Sequence, residues 1–329
     1  MSGLRESGVA ALERPEGGPG AGVEMNGGAV CPAASETAEW QAPWGRASSP
    51  GSAAWRGRII AVTSGKGGVG KSNVAAGLSV LLGAAGARVA LVDADLGLGN
   101  LDILLGVSPP ATLADVLASR KDVGEVLVDL RHGVRLAAGG SVLRSWGMQP
   151  PGRRRALLDG LAALGRQHDV VVLDCGSGLS EGVTDFCNLA DHVLAVTTPE
   201  PTSMTDTYAV VKWLAVTQHP GRVSLLVNLA ASRGEAKAVY ARIATVTAQF
   251  LGRTVYDAGY VLADTKVPAA VRAREPFVVA FPRCPASVCL MALAAKLRPE
   301  GAGEMQESRG GFFRRFLGLR SEAKLARVN

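Results

Sequence analysis

A chain of 329 residues, 47% hydrophobic and 19% charged, has the apolar content of one large folded domain or two small ones, not that of a disordered polymer. It holds no run of the ~18 apolar residues that a membrane-spanning helix needs and opens on no signal-like apolar stretch, so a cytoplasmic protein is expected. Five scattered cysteines (Cys31, Cys175, Cys187, Cys284, Cys289) argue against a disulfide framework, and the net charge of +6 is too diffuse over the middle of the chain to mark a nucleic-acid surface.

Residues 1–57 contain 11 glycines and 5 prolines without apolar periodicity and read as a disordered N-terminal extension. A structured domain is expected over 58–298. Its strands are expected at 58–64 (RIIAVTS), 88–95 (RVALVDAD), 134–139 (VRLAAG), 169–175 (DVVVLDC), 192–198 (HVLAVTT) and 223–228 (VSLLVN). Ala- and Leu-rich stretches at 71–85, 152–166, 202–217 and 234–251 read as helices. Near-continuous apolar strands alternating with helices indicate an α/β fold: a doubly wound, mainly parallel β-sheet with helices on both faces. Ligands of such sheets bind at the C-terminal ends of the strands. Residues 299–308 read as a polar linker and 309–329 as a basic amphipathic tail, with 6 basic and 3 acidic groups in 301–329.

The stretch GKGGVGKS, 65–72, matches G-x-x-x-x-G-K-[ST] in full, after a strand and before a helix. Gly65, Gly67, Gly68 and Gly70 let the backbone N–H groups of the loop, Val69 included, turn toward a polyphosphate, and the dipole of the next helix adds positive charge there. Lys71 is placed to neutralise β- and γ-phosphates, and Ser72 to hold Mg²⁺. Asp93 and Asp95 end the second strand two residues apart on one face. One suits the metal's water shell and the other suits orienting an attacking water, although either alone also suits capping the next turn. Asp174 ends an apolar strand in the manner of a Walker B aspartate that reaches Mg²⁺. Gly176 and Gly178 suit a loop that senses the γ-phosphate. Asn228, at the end of the sixth strand, suits either a purine edge or a turn.

Read together, KGGVGKS and DADLG resemble the deviant Walker A ATPases of the MinD/ParA group, a P-loop NTPase family. DADLGLGNLDILLG (93–106), LDCGSGLS (173–180), TTPEPTSMTDTYAVVK (197–212) and AVRAREPFVVAFPRCPAS (270–287) narrow the likeness to its FlhG (FleN) branch. The resemblance covers roughly 58–298. It implies a cytoplasmic ATP hydrolase that dimerises on binding ATP and Mg²⁺, associates reversibly with the inner face of the cell membrane, and regulates flagellar number and placement. By the same resemblance Lys66 is the signature lysine, which reaches phosphates held by the opposite subunit, with Gly67 and Gly68 giving the backbone approach. Asp95 positions the hydrolytic water, Asp93 lies near Mg²⁺, and the P-loop Asn73 joins the cofactor-binding set. An FlhF-type GTPase or flagellar basal-body proteins are the implied partners. One departure stands out: 1–57 lacks the DQAxxLR motif with which such proteins stimulate FlhF.

In the tail, RGGFFRRFLGLR (309–320) is too short and polar to span a bilayer. Wound as a helix it aligns Phe312, Phe316 and Leu319, with Phe313 and Leu317 beside them and Arg314 and Arg315 opposite. Such a helix suits the interface of an anionic membrane; packing on the protein's own core is the alternative. Two other functions fit the fold. A MinD-like division-site ATPase or ParA-like DNA or cargo partitioner would differ in its target, and DNA binding would need a basic duplex-facing surface. A metal-cluster carrier would need closely spaced thiolates, whereas Cys284 and Cys289 stand five apart and the cysteines read as packing residues.

Overall fold

The computed structural model describes residues 58–95, 99–140 and 146–298. The expected extension 1–57, linker 299–308 and tail 309–329, with Phe312, Phe313, Phe316, Leu317 and Leu319, lie outside the described residues. In chain order the first elements are β1 (Arg58–Ser64), α1 (Lys71–Ala84), β2 (Val89–Ala94), α2 (Leu101–Leu105), α3 (Leu113–Leu117), β3 (Leu127–Asp129) and β4 (Val134–Ala137). Next come α4 (Pro151–Leu164), β5 (Val170–Ser177), α5 (Glu181–Leu189), β6 (His192–Thr197), α6 (Pro201–Val216) and β7 (Arg222–Ala230). The described chain closes with α7 (Arg233–Leu251), β8 (Tyr256–Leu262), α8 (Lys266–Arg272), α9 (Phe277–Ala280) and α10 (Pro285–Leu297).

The strands form one sheet in the order β3-β4-β2-β5-β1-β6-β7-β8, and every pairing is parallel except that of β3 with β4. All six expected strands are present, and β3 and β8 join them at the two edges. β5 runs on to Ser177, past the expected end at Cys175, while β4 stops at Ala137. Strand side chains alternate between two cores because successive residues face opposite sides of a sheet. Ile60, Val62, Leu91, Val172 and Leu194 pack with α1 and α10; Ala61, Val92, Leu173 and Ala195 pack with α4, α5 and α6.

β1 is the central element: Ile60 through Ser64 are fully buried between β5 and β6. From β1 the chain leaves through α1 toward β2, and from its neighbour β5 it leaves through α5 toward β6, on the other side of β1. Connections that part in opposite directions open a crevice at the C-terminal ends of the two strands. The loop 65–70 sits at that crevice.

α10 begins beside the same pole, where the Ala286 N–H donates to Asp264 Oδ2 at 3.4 Å just beyond β8. Its middle packs along the middle of α1, Leu290 against Gly77, so the two helices run side by side away from the crevice. At the opposite pole His192 Nε2 lies 2.8 Å from Ser224 Oγ. Burial, then the charges of Arg222 and His219, push the His192 pKa down to about 3. Burial, reinforced by Arg253, pushes that of His219 down to about 4, so both imidazoles are neutral. Arg253 closes this pole by donating to the carbonyls of Leu214, His219 and Gly221.

Candidate functional site

The 65–70 loop joins the buried end of β1 to the first turn of α1, and two of its glycines are required by contact. A Cβ at Gly65 would collide with the backbone of Asp206 in α6. Gly70 has φ 88°, a left-handed conformation that disfavours side chains, and a Cβ there would collide with the Asn228 amide. Lys71 and Ser72 open α1, with Lys71 buried at 8% exposure. The loop's N–H groups and the start of the helix thus face one crevice, the arrangement that favours an anion.

Asp174 lies across from Ser72, whose side chain it hydrogen-bonds. Only 2% exposed, its carboxyl has a pKa pushed up to about 7, chiefly by burial, with Asp93 and Asp95 adding and Ser72 and Lys71 opposing. Asp174 Oδ1 is buried without a hydrogen-bond partner. An orphaned, buried carboxylate oxygen beside a serine hydroxyl fits a hard cation such as Mg²⁺. Among the described residues no three His, Cys, Asp or Glu side chains gather to hold a metal by themselves. A Mg²⁺ ion held by Ser72 and Asp174 would usually complete its shell with waters and substrate phosphates.

Asp93 pairs in register with Asp174 on the adjacent strand. Its pKa is also pushed up to about 7, first by burial, while backbone N–H groups oppose the shift. Both oxygens are engaged: Oδ1 accepts from the Asp95 N–H at 3.3 Å and Oδ2 from the Leu101 N–H at 3.1 Å. Asp93 thus shapes the turn that leads to α2, the capping alternative. It stands beside the cation position, with both oxygens on the chain. Asp95 is half-buried and borders the C-terminal end of β5, where a side chain at Gly176 would place its Cβ 3.4 Å from Asp95 Oδ1. That strand end and the loop after it are fastened to β1: Thr63 Oγ1 donates to the Gly176 carbonyl at 3.3 Å and the Gly178 N–H donates to the Ser64 carbonyl at 2.8 Å.

The two lysines of the loop point to different places. Lys71 stays in the cradle, while Lys66 Nζ reaches out to Glu200 Oε2 at 2.7 Å and Thr202 Oγ1 at 3.2 Å, at the start of α6. Asn228, at 6% exposure, donates its Nδ2 to the Val69 carbonyl at 2.7 Å, so its amide supports the loop. Gly67, Gly68 and Asn73 lie on the same loop and first turn. Glu200 and Thr202 belong to no loop motif that binds phosphate. Their place just past the end of β6, on the ligand side of a parallel sheet, is the signal that finds them.

Cys175, Cys187 and Cys289 are buried and Cys284 is partly buried, consistent with packing. Cys175 and Cys187 share a thiol hydrogen bond, and this together with burial pushes the Cys175 thiol well above its ordinary range. No helix among the described residues is long and apolar enough to cross a membrane.

Residues 60–277 match the family described as the CobQ/CobB/MinD/ParA nucleotide binding domain. The chain is 38% identical over 240 residues to "Antiactivator FleN" of Pseudomonas aeruginosa, an alignment covering 73% of this chain and 86% of that protein. It is 32% identical over 198 residues to "Flagellum site-determining protein YlxH" of Helicobacter pylori, covering 56% of this chain and 63% of that one. Its fold matches the crystal structure of the Pyrococcus furiosus cell division ATPase MinD, with TM-score 0.62 and 26% identity over 73% of this chain and 98% of that chain. The chain belongs to the CobQ/CobB/MinD/ParA nucleotide-binding domain family.

Proposed function

We propose that the chain is an ATP-hydrolysing switch that dimerises on Mg-ATP, associates with the inner face of the cell membrane, and regulates flagellar number and placement. The observation that carries the reading is the divergence of the two lysines: Lys71 is buried in the phosphate cradle, and Lys66 is held outside it by Glu200. A loop that needed only to bind its own nucleotide has no use for a second cation aimed away from it. The 38% identity to a protein named for FleN supports the flagellar assignment.

In this reading the N–H groups of 65–70 and Lys71 bind the polyphosphate, and Ser72 and Asp174 hold Mg²⁺, with Asp93 setting the adjoining turn. When bound, Mg²⁺ neutralises charge on the β- and γ-phosphates. Asp95 orients the attacking water beside Gly176. Lys66 leaves Glu200 to meet the phosphates of the opposite subunit, which makes the dimer a condition of hydrolysis. Asn228, at the end of the adjoining strand, borders the base. The tail, through Phe312, Phe313, Phe316, Leu317 and Leu319, gives weak attachment that doubles up in the dimer.

The test is deletion of the gene followed by a count of flagella per cell and a map of their positions. Abnormal number or placement, restored by the wild-type chain and not by Lys71→Ala, is the expected result. Normal number and placement in the deletion strain would defeat the flagellar assignment.

A further inference from the structure

Trp146, on the short turn before α4, is almost fully buried and donates its indole N–H to Asp185 Oδ2 of α5 at 2.6 Å. Its ring lies 5.3 Å from that of Phe186, and the Arg154 guanidinium of α4 stands 6.0 Å over its face. Arg154 in turn donates to Glu181 Oε2 at 3.0 Å. Glu181 and Asp185 are one helical turn apart, so a tryptophan and an arginine from outside grip one face of α5.

What α5 carries makes this grip consequential. Only Gly178, Leu179 and Ser180 separate the end of β5 from the start of α5. Gly178 is hydrogen-bonded to Ser64 at the entrance of the phosphate loop. Movement of α5 along its axis would therefore reach the end of β5, the strand that carries Asp174, across three residues. Apolar packing of Val183, Phe186 and Cys187 against the sheet sets the depth of α5, but such packing is non-directional and leaves axial position loosely defined. The short, charge-assisted bond from Trp146 supplies the direction, since an indole N–H has no other use and demands one acceptor.

We infer that Trp146 is a positioning residue: through Asp185, and with Arg154 on Glu181, it holds α5 at the height that sets the end of β5 and the 178–180 loop for ATP turnover. The inference rests on the proposed ATPase. Loop position matters to the γ-phosphate and not to ADP, so the grip acts on turnover and spares ADP affinity. It also makes α4 the element that feels the phosphate loop's state, because Arg154 belongs to α4.

The experiment measures kcat and KM for Mg-ATP, the Kd for Mg-ADP, and thermal melting of the full chain. The variants are Trp146→Phe, which keeps the ring and loses the N–H, and Asp185→Ala, with Asp185→Asn retaining an acceptor oxygen. The first two should lose about tenfold in kcat, the scale of one hydrogen bond to a charged group, with Mg-ADP affinity within about twofold of wild type. Asp185→Asn should recover most of the loss. Equal weakening of ADP and ATP binding with unchanged kcat per folded molecule would reduce the network to stability alone and overturn the inference. Because Asp185 is half-buried, its two variants keep the test open if Trp146→Phe does not fold. Wild-type protein that turns over no Mg-ATP would overturn the ATPase reading and this inference together; an active wild type with active variants would overturn this inference alone.

Discussion

Replacing Lys66 by Ala separates nucleotide binding from everything proposed to follow it. The ammonium it removes is 2.7 Å from Glu200, with side chains 41% and 63% exposed. Exposed ion pairs of this kind contribute about 0.2–1 kcal/mol. For a domain of this size 1 kcal/mol moves the melting temperature by about 2–4 °C, so Lys66→Ala should melt within about 4 °C of wild type. A fluorescent ADP titration should give an unchanged Kd, because Lys71 and the loop N–H groups are untouched. Light scattering in Mg-ATP should show the monomer mass where wild type shows a dimer, and phosphate release should fall to background. Lys71→Ala is the contrast: it strips the buried cation from beside Asp174 and should abolish binding at the first step. A Lys66→Ala protein that cannot bind ADP, or that hydrolyses ATP as wild type does, would refute the division of labour between the lysines.

Other outcomes follow from the same geometry. Asp95→Ala should bind Mg-ATP and accumulate as the dimer, with hydrolysis reduced on the order of 10²-fold or more; loss of binding would make its role structural. Asn228→Ala leaves the buried Val69 carbonyl without its donor, a cost of about 1–3 kcal/mol, and should lower both melting temperature and nucleotide affinity; unchanged melting would show that the amide does not hold the loop. His219 has its pKa pushed down to about 4 in the folded chain, so the unfolded chain binds more protons as pH falls below about 6.5. Stability from this group is complete above that value and lost progressively below it. His219→Asn should therefore gain on wild type in denaturant melts at pH 5 relative to pH 7.5, and parallel pH profiles would contradict the assignment. In the tail, Phe312→Glu with Phe316→Glu should abolish sedimentation with anionic vesicles in Mg-ATP; binding equal to wild type would remove the membrane from the proposal.

The parts of the fold visible in the sequence were those with strong local signals. Runs such as VVVLDC and IIAVTS are uninterrupted and each is followed by a helix, so their strands lie within a residue or two of the expected bounds. β3 spans only Leu127–Asp129, too short to show alternation, and β8 carries a kink at Gly259 (φ 104°) beside Asp257, which breaks the apolar pattern. The short helices α2, α8 and α9 owe their form to packing and caps, which propensity does not encode. At the site, Lys71, Ser72 and Asp174 were legible because motif and strand end coincide. The Asp93 bond to Leu101, the Asn228 bond to Val69 and the capture of Lys66 by Glu200 were not. Each is a choice among partners that only the closed structure brings together; Lys66 and Glu200 are 134 residues apart.

The course of α10 carries a mechanical consequence. Its 13 residues lead away from the crevice over roughly 20 Å, so the chain departs for its tail from the pole remote from the phosphate loop. If the proposed tail anchors the chain, a tether leaving from that pole would keep the nucleotide mouth free for another copy to approach. In the proposed reading, anchorage and pairing would then compete for no common surface, and a molecule could be moored before, during or after it finds its twin.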